Sequence, residues 1–224
     1  MFFEKFLNSK FYAVIEMIVK IVWLNIITLI TSVLGLFLFT FGPALLSGVY
    51  VAKLIINKYE GPILKVYFKA FKRFYKKGTL IFLIYSGLLI LFSFNVYFFL
   101  EKMNQNFLWF DLIAFLITIL LLMLTIPGLI HSLLIFSCFE KNSIKSLIID
   151  GFKLSMAFIL NGILFSIVLT AIIVLALVVP LTIFLVSFVT LVFAVEVIMF
   201  RPYDKIEFFD KKSTKIADEL IREI

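Results

Sequence analysis

Apolar and polar positions alternate along this chain in two distinct ways. Over most of its length the apolar residues form runs with few or no charges, at 11–39, 43–57, 79–100, 112–139 and 154–199. Runs near or above the ~20 residues a helix needs to cross a bilayer predict membrane-spanning helices. From Ile63 to Lys77 the pattern changes. Ile63, Leu64, Tyr67, Phe68, Phe71, Phe74 and Tyr75 recur at helical spacing, and Lys65, Lys69, Lys72 and Lys76 repeat with the same spacing on the other side. This predicts a basic amphipathic helix over 63–77. Such a helix lies in the membrane interface, with rings at the acyl boundary and ammonium groups among lipid phosphates, or packs on the protein's own bundle. Aromatics gathered on one face do not interleave with bases, so a nucleic-acid partner is not expected.

Punctuation residues set the boundaries. Gly42-Pro43 is a natural place for the chain to reverse, with Pro43 in a first helical turn where its missing N–H costs nothing. The charge-free stretch 21–52 is shorter than the ~40 residues two full crossings need, so the second helix (43–57) is short or tilted, or Lys20 and Lys53 snorkel to the interface. Gly78 opens a third span, and Trp109 is placed as an interface anchor after a polar loop. The fourth span contains Pro127-Gly128. Asn142 or Ser143 can cap a helix running through Asp150 into the membrane. Two further spans, joined near Val179-Pro180, hold Glu196 as their one charge between Leu154 and Met199. The expected fold is an all-α membrane protein of about six transmembrane helices, the second one short. One helical membrane domain occupies 1–200, and 201–224 form a tail with a small amphipathic helix (Ile216, Leu220, Ile221, Ile224).

Composition strengthens this reading. With 63% hydrophobic residues, 29 Phe and a mean hydropathy of +1.16, no soluble surface could be built. The net charge of +7 is then read by location. Of the 21 Lys and Arg residues, every one except Lys102 falls in the segments 1–20, 53–77, 140–153 and 201–224. Cations mark the cytoplasmic side, so this distribution predicts an even number of crossings with both termini in the cytoplasm. The first apolar run is too long for a cleavable signal and would remain as a signal anchor. The single Cys138 allows no intramolecular disulfide and no cysteine metal cluster.

Polar groups at membrane depth are functional candidates because burying them in lipid is costly. Lys20 can pair with Glu16 one turn earlier, or with Glu196, tying the first helix to the last. His131, just after Pro127, either bonds a neighbouring helix or faces substrate. One imidazole does not make a metal site. Asn25, Asn95 and Asn161 suit interhelical hydrogen bonds. If these converge with His131 on one cavity, and if Gly42-Pro43 breaks a helix that lines it, solute transport is the function implied. No nucleophile and base, phosphate-cradling glycine loop or carboxylate pair is present, so neither catalysis nor a cofactor is expected.

Thr40-Phe41-Gly42-Pro43-Ala44 after a long first helix, and Lys69-Ala70-Phe71-Lys72-Arg73-Phe74-Tyr75-Lys76 ahead of the third, resemble the YesL-like family of uncharacterised bacterial membrane proteins. Lys145-Ser146-Leu147 through Phe152-Lys153-Leu154 looks like that family's connection between the fourth and fifth helices. The resemblance covers most of the first 160 residues. Members tend to be encoded beside carbohydrate-import ABC transporters and glycan-degrading enzymes. It therefore implies an accessory or regulatory subunit of such an importer, with the lipid bilayer's anionic inner leaflet and the importer's permease or ATPase subunits as partners; the alternative is a small-solute transporter. Lys65, Lys69, Lys72, Arg73 and Lys76 are the contact candidates. Asp150-Gly151, after Ile149, also resembles the end of the loop by which importer permeases engage their ATPase, although the Glu-Ala-Ala core of that loop is absent.

Overall fold

The computed structural model describes residues 10–57, 59–105, 108–180, 182, 187–204, 215–216 and 218–221, and every regular element among them is helical. The expected N-terminal lead-in at 1–8 and Ile224 lie outside the described residues. In chain order the helices are α1 (Lys10–Leu34), α2 (Phe41–Ile56), α3 (Ile63–Gln105), α4 (Trp109–Cys138), α5 (Ile144–Ala157), α6 (Ile159–Val178) and α7 (Phe188–Ala194). A π-helical turn, Val195–Phe200, then leads into α8 (Arg201–Asp204).

The hub is α2. All of its residues except Phe41, Lys53 and Ile56 are buried, as expected of a helix that is apolar around its whole circumference. At ~1.5 Å per residue it falls short of the ~30 Å hydrocarbon core, as the sequence predicts. The chain reverses before it, at Gly35–Thr40, and Gly42-Pro43 instead fall in its first turn. The reversal puts Leu36 and Phe37 at φ of 60° and 46°. This left-handed conformation costs roughly 1–2 kcal/mol per residue with a Cβ. Hydrogen bonds from Phe37 N and Thr40 Oγ1 to the Ser32 carbonyl, at 2.8 and 3.0 Å, offset the strain. Gly35 is required there, because a Cβ would stand 1.8 Å from Thr40 Cγ2.

The expected boundary at Gly78 is not a break. α3 is one helix of 43 residues, so the basic segment continues the axis of the apolar one. The α1–α2 hairpin packs beside the basic half. Thr31 Oγ1 meets Tyr67 Oη at 2.7 Å, the Tyr50 and Phe74 rings stack at 5.5 Å, and Thr79 Oγ1 donates to the Phe39 carbonyl at the hairpin tip. α4 runs antiparallel along the apolar half, from Lys102–Asp111 (2.6 Å) through Tyr85–Ser132 (2.8 Å) to the Lys77–Asn142 carbonyl bond (3.1 Å). The hairpin therefore stacks on one end of the α3–α4 pair. Among the described residues four helices are long and apolar enough to cross (Ile15–Leu34, Ile63–Gln105, Trp109–Cys138, Ile159–Val178), and two shorter apolar helices accompany them.

Two more joints depart from expectation. α4 runs unbroken through Pro127, whose ring fits the notch at Gly162 of α6, where a Cβ would come within 3.0 Å. The chain bends instead at Phe158, between α5 and α6. Ser143 caps α5 by accepting from Ser146 N at 3.2 Å.

Candidate functional site: the cationic end of α3

The basic half of α3 buries Val66, Tyr67, Ala70 and Phe74 and half-buries Ile63 and Phe71. Leu64, Phe68 and Tyr75, assigned by periodicity to the apolar face, are exposed instead. The small Val66 and Ala70 are fully buried, so the buried face is rotated toward them and away from three of the larger rings and side chains.

This rotation divides the cations. Lys69, Arg73 and Lys77 turn toward the protein's own chain. Arg73 Nε donates to Glu140 Oε1 at 2.5 Å, and its terminal nitrogens donate to Glu219 Oε2 at 3.1 and 3.2 Å. Lys69 Nζ donates to the Glu219 and Leu220 carbonyls, both at 3.3 Å. Lys77 donates to the Glu140 and Asn142 carbonyls. One guanidinium thus ties the α4–α5 connection and the C-terminal segment to α3, and Ile216 and Leu220 of that segment are buried in the core. Lys65, Lys72 and Lys76 are exposed and make no ion pair with a described residue. A cleft of about 540 Å³ lies here, lined among others by Lys72, Arg73, Tyr75, Lys76, Phe136 and Glu140.

The other candidates lie apart from this end. Asp150 accepts from Ser146 Oγ at 2.9 Å and pairs with Lys153 at 3.7 Å. Gly151 is buried where α5 crosses α4, and a Cβ there would meet Ser132 Oγ at 1.9 Å and the Gly128 carbonyl at 2.7 Å. It offers a partner no surface, which corrects its assignment as a contact residue; helix packing explains the glycine. Lys20 pairs with Glu16 at 2.7 Å and donates to the Tyr59 carbonyl at 3.0 Å, so its partners are those and not Glu196. Glu196 is buried in the π-helical turn.

Asn25 Oδ1 accepts from Val189 N at 2.9 Å and thereby ties α1 to α7. Asn161 Nδ2 donates to the Ile198 carbonyl at 2.7 Å, inside the π-helical turn. His131 Nδ1 and Tyr203 Oη are 2.5 Å apart, buried against Phe158. Sequence reasoning missed Tyr203, Glu140 and Glu219, which show no periodic or motif signal and acquire their roles through contacts distant in sequence. Gly42, Pro43, Pro127, Gly128 and His131 all sit in packed interior and do not converge on a polar cavity. Among the described residues no group of His, Cys, Asp and Glu could hold a metal ion.

These features define a class: an all-helical protein with apolar helices suited to a membrane and a cationic helix end. A family described as "Protein of unknown function, DUF624" matches residues 21–96, a stretch that includes Gly42, Pro43 and the whole cationic end. The "Uncharacterized protein YesV" of Bacillus subtilis (strain 168) is 30% identical over 130 residues, which cover 55% of this chain and 62% of that one. The chain thus aligns with less than two thirds of that relative's length. No solved structure matches.

Proposed function

We propose that this chain is a non-enzymatic, YesL-like integral protein of the bacterial cytoplasmic membrane, with its termini and cationic end in the cytoplasm, acting as an accessory or regulatory subunit of a membrane complex. The observation that carries this reading is the exposure of Phe68 and Leu64, at 51% and 45%, beside Lys65. An aromatic and aliphatic pair rimmed by a lysine has the make-up of a protein contact. The resemblance to the YesL-like family makes a carbohydrate ABC importer the partner class. Solute transport loses its support, because the interrupting residues that suggested it sit apart in packed interior.

Two experiments test this reading. A photo-crosslinking amino acid at position 68, activated in native membranes, should capture an importer permease or ATPase subunit; capture of lipid alone would overturn the partner assignment. A Lys65→Cys variant should react with a membrane-impermeant maleimide only after the cytoplasmic face is opened. Labelling of intact cells would overturn the orientation.

A further inference from the structure

We infer that the cleft at Lys72 and Lys76 is a binding site for one anionic phospholipid of the inner leaflet, its phosphodiester held between the two ammonium groups and its acyl chains lying along α3. The inference rests on the membrane reading above.

Two lysines one turn apart on an exposed ridge repel each other by a few tenths of a kcal/mol. Nothing in the described chain neutralises them. The carboxylate that lines the cleft, Glu140, is already engaged by Arg73 at 2.5 Å. Lys77 lies 6.0 Å from the Phe136 ring centroid on the cleft's inner wall. The cleft therefore keeps an excess of positive charge against an aromatic wall, since Phe71 and Tyr75 pack at 5.7 Å. This arrangement suits an anion that carries an apolar body.

The surface beyond the lysines suggests which anion. At steps of three or four residues, the ridge bearing Lys72 and Lys76 runs on through Leu80, Ile84, Gly87 and Leu91. Leu80, Gly87 and Leu91 are exposed, and a Cβ built on Gly87 would touch nothing within 4 Å. Charge therefore gives way to an apolar, notched strip within one turn. That order matches a phospholipid, headgroup first and acyl chain next, with the phosphate at the depth where Lys side chains meet it. A soluble phosphate ester would use the lysines but not the strip.

The test is native mass spectrometry of the delipidated full-length chain in detergent, titrated with phosphatidylglycerol and, separately, with phosphatidylcholine. One phosphatidylglycerol should bind at concentrations well below those at which phosphatidylcholine binds. A lysine near an anionic headgroup contributes about fivefold in affinity, so Lys72→Gln with Lys76→Gln should weaken that adduct about thirtyfold. Lys65→Gln should leave it unchanged, and circular dichroism should show the same helicity in every variant. Equal binding of both lipids, equal binding by the double variant, or inorganic phosphate displacing phosphatidylglycerol at millimolar concentration would each overturn the site. Labelling at position 65 reads orientation alone, so a failure of the membrane reading and a failure of the lipid site are distinguishable.

Discussion

Gly42, in the first turn of α2, lies against the backbone of Gly78 in mid-α3, and a Cβ built on it would stand 2.5 Å from the Gly78 carbonyl oxygen. The contact is backbone to backbone, so no side-chain rotation can relieve it. It sets the tip of the α1–α2 hairpin at the junction between the cationic and apolar halves of α3. Gly42 therefore serves a helix crossing, two residues past the end of the reversal it was expected to make.

Gly42→Ala should force α2 and α3 apart and destabilise the protein by about 1–3 kcal/mol, the usual cost of overpacking. Gly87→Ala in the same helix α3 meets open space and should be neutral, or stabilising by up to ~1 kcal/mol through helix propensity. Thermal unfolding in one detergent, with both variants compared with the parent chain, checks the pair. Equal melting temperatures for the two variants would remove the crossing argument.

The π-helical turn Val195–Phe200 shifts the backbone hydrogen-bond register, and Asn161 Nδ2 takes up the Ile198 carbonyl there. Asn161→Leu keeps the side chain's bulk and removes the donor. It should cost about 0.6–1.7 kcal/mol, the range measured for interhelical hydrogen bonds in membranes. Asn161→Gln places the same donor one methylene further out and should recover part of the loss. An Asn161→Leu chain as stable as the parent would show that the contact is incidental.

Asn25 and α7 offer a local readout. The Val189 amide is buried, and Asn25 Oδ1 supplies it with an acceptor from α1. Asn25→Ala should therefore speed hydrogen exchange at the start of α7, with a stability loss of about 1 kcal/mol. Unchanged exchange there would mean that the first turn is held by packing alone.

How much of this was legible in the sequence follows from the range of each interaction. Helix class comes from charge-free runs, which need no partner to be read, and the Ser143 cap is settled within three residues. The junction at Gly78 was misread because a lone glycine costs a helix only ~1 kcal/mol, too little to end one whose two halves both pack well. The buried face of the basic half was misplaced because the rings outweighed Val66 and Ala70 in the count, whereas the fold buries both small residues fully. Arg73 was visible as a cation. Its carboxylate partner Glu219 stands 146 residues away, and no local pattern announces a contact of that span.

Besides the Lys69 hydrogen bonds to its backbone, the C-terminal segment is attached by an ion pair and by apolar burial, and their magnitudes decide which of these two holds it. Glu219 meets Arg73 at 3.1 Å, but both side chains are substantially exposed, and surface ion pairs contribute at most about 1 kcal/mol. Leu220 is fully buried and Ile216 nearly so. Burying such side chains contributes roughly 1.5–3 kcal/mol each. Glu219→Gln should therefore leave the segment docked, with at most a small rise in protease sensitivity. Leu220→Ala should release it, and limited trypsin digestion should then cut at Lys215 many times faster than in the parent chain. High salt separates the two contributions again, since it screens the ion pair and leaves the apolar contact intact. Cleavage at Lys215 that rises with salt in the parent chain, or that Glu219→Gln speeds as much as Leu220→Ala does, would assign the attachment to charge.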